Sequence, residues 1–454
     1  LLSLGARFDQ YALDSRARLS VEGTYTDAER RGGDLARFDL PPHETALTEQ
    51  ILTERLGLGV SWLHQVSSSL DYRLASSWAD SSRDSYYGAD FDPNAYGTTD
   101  NPLFIVDAAA NRYFTGSTLT AGAEYRSDRI EDVQLGYNRV IEESYRSLGA
   151  FLQDDRKVGA KVNLLYGARV DSHSAIDDPI VSPRLALMWS PMPTLTLRGS
   201  VASGFRPPAT FDEDLHIQLV GGGEAHVIYN DPNLVEESSL GYLLSTEWRP
   251  SFAGKGSAVV ALNFFRTDLD DLFNNVEADD PTTPEVEFLK INQGDARVEG
   301  IEVSGSMRWG PRVSADFGFV RQTSRFGDPE PDFGSRVFFR TPERYGSAGV
   351  IWEAARRTDV FAGVIYTGPM KVPHYAGYIE EDRLETTDSF LTVDVNVARR
   401  FEIRDDLTLQ VSIGAKNLTD EYQPDLDQGP LRDSAYVYGP RFPRSIVVGF
   451  KVGR

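Results

Sequence analysis

Hydrophobic and polar residues alternate along most of this chain. In residues 407–416 the odd positions are apolar and the even positions are polar, and the same two-residue period recurs in 301–309, 313–319 and 391–397. This period is typical of a β-strand with two unlike faces. In 407–416 one face carries Leu409, Val411 and Ile413, and the other carries Gln410, Ser412 and Lys416.

The pattern predicts about nineteen strands, and helical periodicity is scarce. We place them near 2–12, 15–27, 48–63, 66–79, 102–113, 116–127, 143–155, 158–172, 181–191, 194–204, 236–249, 256–271, 286–308, 312–326, 341–354, 357–368, 387–402, 406–418 and 444–452.

The connections between these strands are alternately short and long. Short turns such as 190–194 and 309–312 alternate with long polar segments such as 80–101, 128–142 and 204–235. A soluble sandwich has short connections at both ends, whereas an up-and-down barrel has tight turns on one rim and long loops on the other. The sequence therefore predicts an all-β fold, a transmembrane antiparallel up-and-down β-barrel with its apolar face on lipid.

Composition excludes several functions. The chain of 454 residues has a net charge of −22, which disfavours nucleic acid as a partner because phosphates need a basic face. Cysteine is absent and the six histidines show no ligand-pair spacing, so thiol catalysis and a zinc site are not expected. We therefore expect a protein that is not an enzyme.

Several stretches resemble the barrel of TonB-dependent outer-membrane receptors, in order, over about 145–454. The block SPRLALMWSPMPTLTLRGSVASGFRPP (182–208) is the most distinctive, and AKNLTDEY (415–422) resembles the family's NLFDxxY element with Thr419 in place of Phe. The other matching stretches are 145–174, 233–248, 291–309 and 439–452. The similarity is greatest to the colicin, ferric-siderophore and cobalamin receptor branch.

The resemblance implies TonB-dependent uptake of a scarce metal chelate, such as a ferric siderophore, haem or cobalamin, across the bacterial outer membrane. Family barrels have 22 strands and an N-terminal plug that contacts TonB. Neither the plug nor about three of the strands is visible in 1–454, so we interpret the whole chain as a barrel domain that lacks them. The expected partners are outer-membrane lipid and lipopolysaccharide, TonB through a plug outside this chain, and other surface proteins.

The long loop after residue 204 is the predicted ligand-binding segment. Its candidate contacts are Phe205, Arg206, Asp212, Asp214 and His216. An arginine suits an anionic ligand. The alternative is structural: Gly204 and the two prolines of GFRPP shape the exit from the strand.

A second loop has the alternate acidic spacing of a calcium site. Asp90, Asp92 and Asn94 follow this spacing, but Ala95 occupies the position where a calcium loop has glycine. A plain acidic loop is the alternative. Eight tyrosines near the outer loops are predicted to form an interfacial girdle, with stacking on a planar ligand as the alternative. They are Tyr86, Tyr87, Tyr96, Tyr366, Tyr375, Tyr378, Tyr436 and Tyr438.

Two other functions remain open from the sequence. A plug-free barrel would be a porin-like channel, and a degenerate receptor barrel would be a structural or adhesive subunit of an outer-membrane assembly. The sequence preceding Leu1 would distinguish them from an uptake receptor, because only the receptor needs a plug and a TonB-contacting segment.

Overall fold

The computed structural model describes residues 1–453 except 90, 138, 210–225, 253–254, 279–285, 405, 430, 434 and 441. The helices within these residues are single 3₁₀ turns at Leu35–Arg37, Pro42–Glu44 and Leu135–Tyr137. In the described part of the chain, no helix is long and apolar enough to cross a membrane.

The described residues form twenty-four strands. They are β1 (Leu2–Ala12), β2 (Ala17–Gly33), β3 (Leu47–Ser67), β4 (Leu70–Ala89), β5 (Tyr96–Phe114), β6 (Ser117–Gln134), β7 (Arg139–Lys157), β8 (Val162–His173), β9 (Ile180–Met192), β10 (Leu195–Arg206), β11 (His226–Asn230), β12 (Glu237–Trp248), β13 (Gly256–Asp270), β14 (Phe273–Glu277), β15 (Val286–Asn292), β16 (Asp295–Trp309), β17 (Val313–Phe326), β18 (Arg344–Ala355), β19 (Thr358–Thr367), β20 (Lys371–His374), β21 (Arg383–Thr386), β22 (Phe390–Arg404), β23 (Leu407–Lys416) and β24 (Ser445–Gly453).

Nineteen of these strands form one antiparallel sheet, which confirms the predicted fold class. Each pairs with the next long strand along the chain, as in an up-and-down barrel. The other five lie in the long connections, where β11, β15 and β14 form one small sheet and β20 pairs with β21. The strand predicted at 286–308 is therefore two strands, separated by Gly294 with a positive φ of 79°.

Strand register shows that the sheet has an apolar face and a polar face. Residues directly opposite each other in a ladder point to the same side. Ile413 lies opposite Val448 and Val397, Val397 lies opposite Val360, and Val360 lies opposite Trp352. Apolar residues thus continue in a row across neighbouring strands, on the face that meets lipid in a transmembrane barrel.

The opposite face is polar, and several of its charges are paired. Ion pairs on this face join Arg73 to Asp107 (2.6 Å), Arg169 to Asp171 (2.8 Å) and Arg198 to Glu247 (3.3 Å). The register places these side chains on the side of the sheet that carries Gln410 and Ser412. The polar face therefore supplies the charged lining expected of a lumen.

Several strands are much longer than a membrane requires. β3 has 21 residues and β4 has 20, whereas about 9–11 residues cross a bilayer. The long loops predicted at 80–101 and 128–142 are mostly strand, since β4 continues to Ala89 and β6 to Gln134. Polar sequence continues the hydrogen-bonded ladder beyond the membrane because the ladder itself does not depend on hydrophobic alternation.

Three of the tyrosines predicted to form an interfacial girdle are buried within the protein and do not face a membrane interface. Tyr86, Tyr87 and Tyr436 are almost completely buried by neighbouring parts of the chain. Tryptophan instead marks an interface on the apolar face, close to the short turns, where aromatic belts occur. The tryptophans at these positions are Trp62, Trp189, Trp248, Trp309 and Trp352.

The outermost strands of the sheet each have one paired edge. Within the described residues, β1 pairs with β2 alone and β24 pairs with β23 alone. A backbone edge without a partner cannot satisfy its hydrogen bonds in hydrocarbon. The outer edges of β1 and β24 therefore lack the pairing that a closed barrel provides.

The assignment of the apolar face to lipid and the polar face to the lumen can be tested by introducing an arginine on each face. Val411→Arg is expected to cost about 2–4 kcal/mol of folding free energy near the midplane, because the guanidinium would enter lipid. Ser412→Arg should cost much less, because Ser412 lies on the polar face. Urea unfolding in lipid vesicles measures both variants, and equal costs would contradict the facing assignment.

The unpaired edges give a second prediction. Residues 1–454 expressed alone are not expected to insert stably into vesicles, since each unsatisfied backbone group in hydrocarbon costs several kcal/mol. Protease resistance and heat-modifiable gel migration report insertion, and the full-length product of the gene is the control. A protease-resistant barrel from 1–454 alone would overturn this expectation.

Candidate functional site

Three outer loops pack together at the end of the barrel opposite the short turns. We call 327–343, 368–389 and 417–444 the outer loop cluster. Arg340 in the first loop donates from Nη2 to the carbonyl oxygen of Ala435 at 2.6 Å, and its backbone N–H donates to the carbonyl oxygen of Lys371 at 2.7 Å. A single residue thus connects all three loops.

Asn417 anchors the third loop where β23 ends. Its backbone has a positive φ of 49°, which turns the chain out of the strand and which asparagine tolerates better than most residues. The side-chain amide donates to the carbonyl oxygens of Glu421 (2.8 Å) and Phe442 (3.0 Å), so both ends of the loop are bound to one residue. Asn417 is the asparagine of the NLTD element, so the motif has a structural role.

A buried histidine connects the second and third loops. The ring of His374 stacks on Tyr436 with centroids 3.6 Å apart and planes 8° from parallel. Its Nε2 lies 3.0 and 3.1 Å from the two carboxylate oxygens of Asp427, and both side chains are buried. Asp427 also accepts the backbone N–H of Asp433 at 2.9 Å.

A second carboxylate of the third loop is bound by two phenols. Asp425 accepts hydrogen bonds from Tyr436 (2.8 Å) and Tyr438 (2.6 Å). Burial alone would raise the pKa of Asp425, but the hydrogen bonds from the two tyrosines outweigh it and lower this pKa. Burial, followed by the adjacent carboxylate, raises the pKa of both phenols, so the neutral tyrosines are the stable form.

Tyr375 completes the contact between loops. Its backbone N–H donates to Asp433 at 3.0 Å, and its ring packs against Phe333 with centroids 5.8 Å apart. Burial first, and then the charge of Asp332, raises the pKa of Tyr375 to about 12. The cluster is therefore a packed unit of aromatic rings and carboxylates, and its cross-links were not predicted from the sequence because they join distant segments.

The predicted contacts at the base of the long loop are only partly described. Asp212, Asp214 and His216 lie outside the described residues. Arg206 pairs with Glu237 at 3.2 Å and lies over the ring of Phe273, 5.5 Å from its centroid. Phe205 has the parity of Val201 on β10, so it lies on the apolar face. These contacts are consistent with the structural alternative for GFRPP, and the ligand role remains a prediction.

The possible calcium loop is also partly described. Asp90 lies outside the described residues. Asp92 accepts the backbone N–H of Asn94 at 2.8 Å, and its carbonyl oxygen accepts the hydroxyl of Tyr86 at 2.9 Å. Among the residues the structure describes, no group of three or more His, Asp or Glu side chains is arranged to hold a metal ion. Calcium binding remains a prediction.

The outer segments carry the negative charge of the protein. The outer segments are the connections between strands on the side opposite the short turns. They contain 31 acidic and 9 basic residues. Their net charge of −22 equals that of the whole chain. These segments are 34–46, 90–95, 135–138, 207–236, 271–294, 327–343, 368–389 and 417–444.

A family model described as TonB dependent receptor-like, beta-barrel, matches residues 1–418. The chain belongs to this family. It is therefore an outer-membrane β-barrel, which confirms the resemblance and the location expected from the sequence. A relative from Vibrio cholerae serotype O1, the iron-regulated outer membrane virulence protein, is 24% identical over 328 residues. The match covers 69% of this chain and 47% of the relative, so the chain spans about half the length of that protein.

Solved structures of bacterial siderophore receptors and an iron transporter have the same fold. The siderophore receptor PirA from Acinetobacter baumannii has a TM-score of 0.72 at 15% identity, covering 99% of this chain and 70% of that one. The FrpB iron transporter from Neisseria meningitidis has a TM-score of 0.73 at 14% identity, covering 99% and 71%. A ferric enterobactin receptor, PfeA, from Pseudomonas aeruginosa has a TM-score of 0.74 at 15% identity, and the match covers 99% of this chain and 69% of that one.

The raised tyrosine pKa values predict that the outer loop cluster is sensitive to alkali. An unfolded tyrosine ionises near pH 10, so the stability from the neutral phenols is complete below pH 10 and is lost as pH rises toward 12, the pKa of Tyr375. We expect hydrogen exchange in 417–444 to accelerate over this range before exchange in the barrel strands. The variant Tyr438→Phe, which cannot ionise, should reduce the alkaline effect. Simultaneous opening of loops and barrel would contradict the prediction.

Proposed function

We propose that this chain forms the wall and outer ligand-binding loops of a TonB-dependent receptor that takes up an iron chelate. The observation that carries the proposal is the outer loop cluster, in which the buried stack of His374 on Tyr436 and the hydrogen bond from Tyr436 to Asp425 hold the loops in one arrangement above the barrel. Preformed loops lower the ordering cost of binding a small ligand. The relatives described as iron-regulated, iron-transporting or siderophore receptors support this choice of cargo.

We propose further that the plug and the remaining strands are supplied by residues outside 1–454 or by a partner chain. The unpaired edges of β1 and β24 in the described residues support this. Uptake would then depend on TonB acting on that plug, while this chain positions the loops and separates the lumen from lipid.

The acidic outer segments favour a neutral or cationic chelate over a polyanionic one. A net charge of −22 on these segments repels polyanions during approach, and the repulsion weakens as salt screens it. Ferric siderophores with little negative charge are therefore the cargo class we propose.

The test is uptake of radioactive iron by cells that carry or lack the intact gene. The cells are starved of iron and offered a neutral ferric trihydroxamate, a trianionic ferric triscatecholate or haemin. We expect gene-dependent uptake of the trihydroxamate that disappears when TonB is deleted. A matched strain carrying His374→Ala and Tyr436→Ala should bind the chelate more weakly while its barrel remains inserted.

Other outcomes select other functions. Diffusion of small sugars through the purified protein, without TonB, would indicate a porin-like channel. Normal iron uptake in the deletion strain, with loss of surface attachment, would indicate a structural or adhesive subunit. Preference for the triscatecholate at low salt would contradict the charge argument alone.

A further inference from the structure

The apolar face of the barrel contains a charged pocket next to a short turn. The pocket has a volume of about 460 Å³ and lies at the ends of β5, β6 and β7. Phe114, Leu119, Asp154, Arg156 and Lys157 line it. Short turns of outer-membrane barrels lie on the periplasmic side, where the leaflet consists of phospholipid.

Strand register arranges this surface in rows. Nearest the turn, Phe114, Ser117 and Arg156 lie side by side on the apolar face, and the next row contains Arg112, Leu119 and Asp154. The rim of the face is thus charged.

In the third and fourth rows from the turn, the side chains at the centre of this surface are small. Ala110 and Ala121 lie opposite each other in the third row, and Ala108, Ala123 and Ala150 form the fourth. Tyr72 and Leu74 on β4 and Leu152 on β7 occupy positions in the same two rows. Alanines between larger residues leave a furrow that runs from the pocket toward the membrane interior.

One carboxylate fixes the arrangement of the pocket. Asp154 is buried and accepts hydrogen bonds from Ser117, from Tyr166 at 2.8 Å and from Arg156 Nε at 3.1 Å. Its lone pairs are occupied by these donors, so it holds Arg156 at the pocket wall.

Positive charge exceeds negative charge around the pocket. Arg156 is paired with Asp154, whereas Arg112 and Lys157 have no carboxylate partner among the described residues. Arg112 lies over the ring of Phe114, 5.8 Å from its centroid. Register places Lys157 on the lumen side, so the lipid-facing rim carries Arg112 and Arg156 against the single carboxylate of Asp154. This excess of positive charge suits an anion.

We infer that this surface binds an anionic membrane phospholipid. Its phosphate contacts Arg112 and Arg156, and one acyl chain lies in the furrow formed by Ala121 and Ala123. Charge complementarity at the rim and the apolar furrow that continues from it match the two ends of such a lipid.

The test uses the full-length protein extracted from membranes and native mass spectrometry. It is titrated with phosphatidylglycerol, phosphatidylethanolamine or diacylglycerol, and bound lipid is counted. We expect binding to decrease in that order, and Arg112→Gln with Arg156→Gln to weaken phosphatidylglycerol about tenfold. The matched control is Arg312→Gln with Arg356→Gln, two exposed cations in other short turns, and it should change binding less than about twofold.

A second pair of variants tests the furrow without changing charge. Ala123→Leu fills the furrow and should weaken phosphatidylglycerol, whereas Ala362→Leu, also on the apolar face, should not. Heat-modifiable migration confirms that all variants fold. Equal loss in the charge variant and its control, or equal binding of the three lipids, would overturn the inference.

Discussion

The structure depends on one constraint, which is that every backbone N–H and C=O inside a membrane must be hydrogen-bonded within the protein. Nineteen antiparallel strands meet it by pairing with their neighbours along the chain, except at the outer edges of β1 and β24, which have no partner within the described residues. Once the ladders have formed, the side chains lie on two faces, because neighbouring residues in a strand point to opposite sides. The apolar row through Ile413 and Val397 and the ion pairs of the opposite face are both consequences of that register.

Outside the membrane the backbone N–H and C=O groups find hydrogen-bond partners in a different way. Water is available there, so long connections no longer need to continue a ladder, and side chains organise them instead. Asn417 binds backbone groups at both ends of one loop, while His374 and Asp427 join two loops through a buried pair. Aromatic rings fill the space between the carboxylates. Burial raises the pKa of Tyr436, whereas its hydrogen bond and that of Tyr438 lower the pKa of Asp425. The outer loop cluster is thus a small core of its own.

Charge is distributed unevenly between the two ends of the molecule. The outer segments carry a net charge of −22, whereas the lipid-facing rim beside the β5–β6 turn carries Arg112 and Arg156 with the single carboxylate of Asp154. An acidic outer end repels polyanions, and a basic rim suits an anionic headgroup. The two ends of the barrel therefore meet different chemical surroundings, in keeping with a protein that spans an asymmetric membrane.

The sequence by itself determined the strands and their faces, because the alternation of apolar and polar residues is a local pattern that needs no information from distant parts of the chain. It also predicted the number of barrel strands and the family. It did not determine how far β4 and β6 extend, since polar strands such as 80–89 lack the hydrophobic alternation. Only the tertiary structure brought His374 to Asp427, 53 residues away, and aligned the alanines of β5, β6 and β7 in rows. Those contacts depend on loop packing and strand register, which arise from pairing between distant segments.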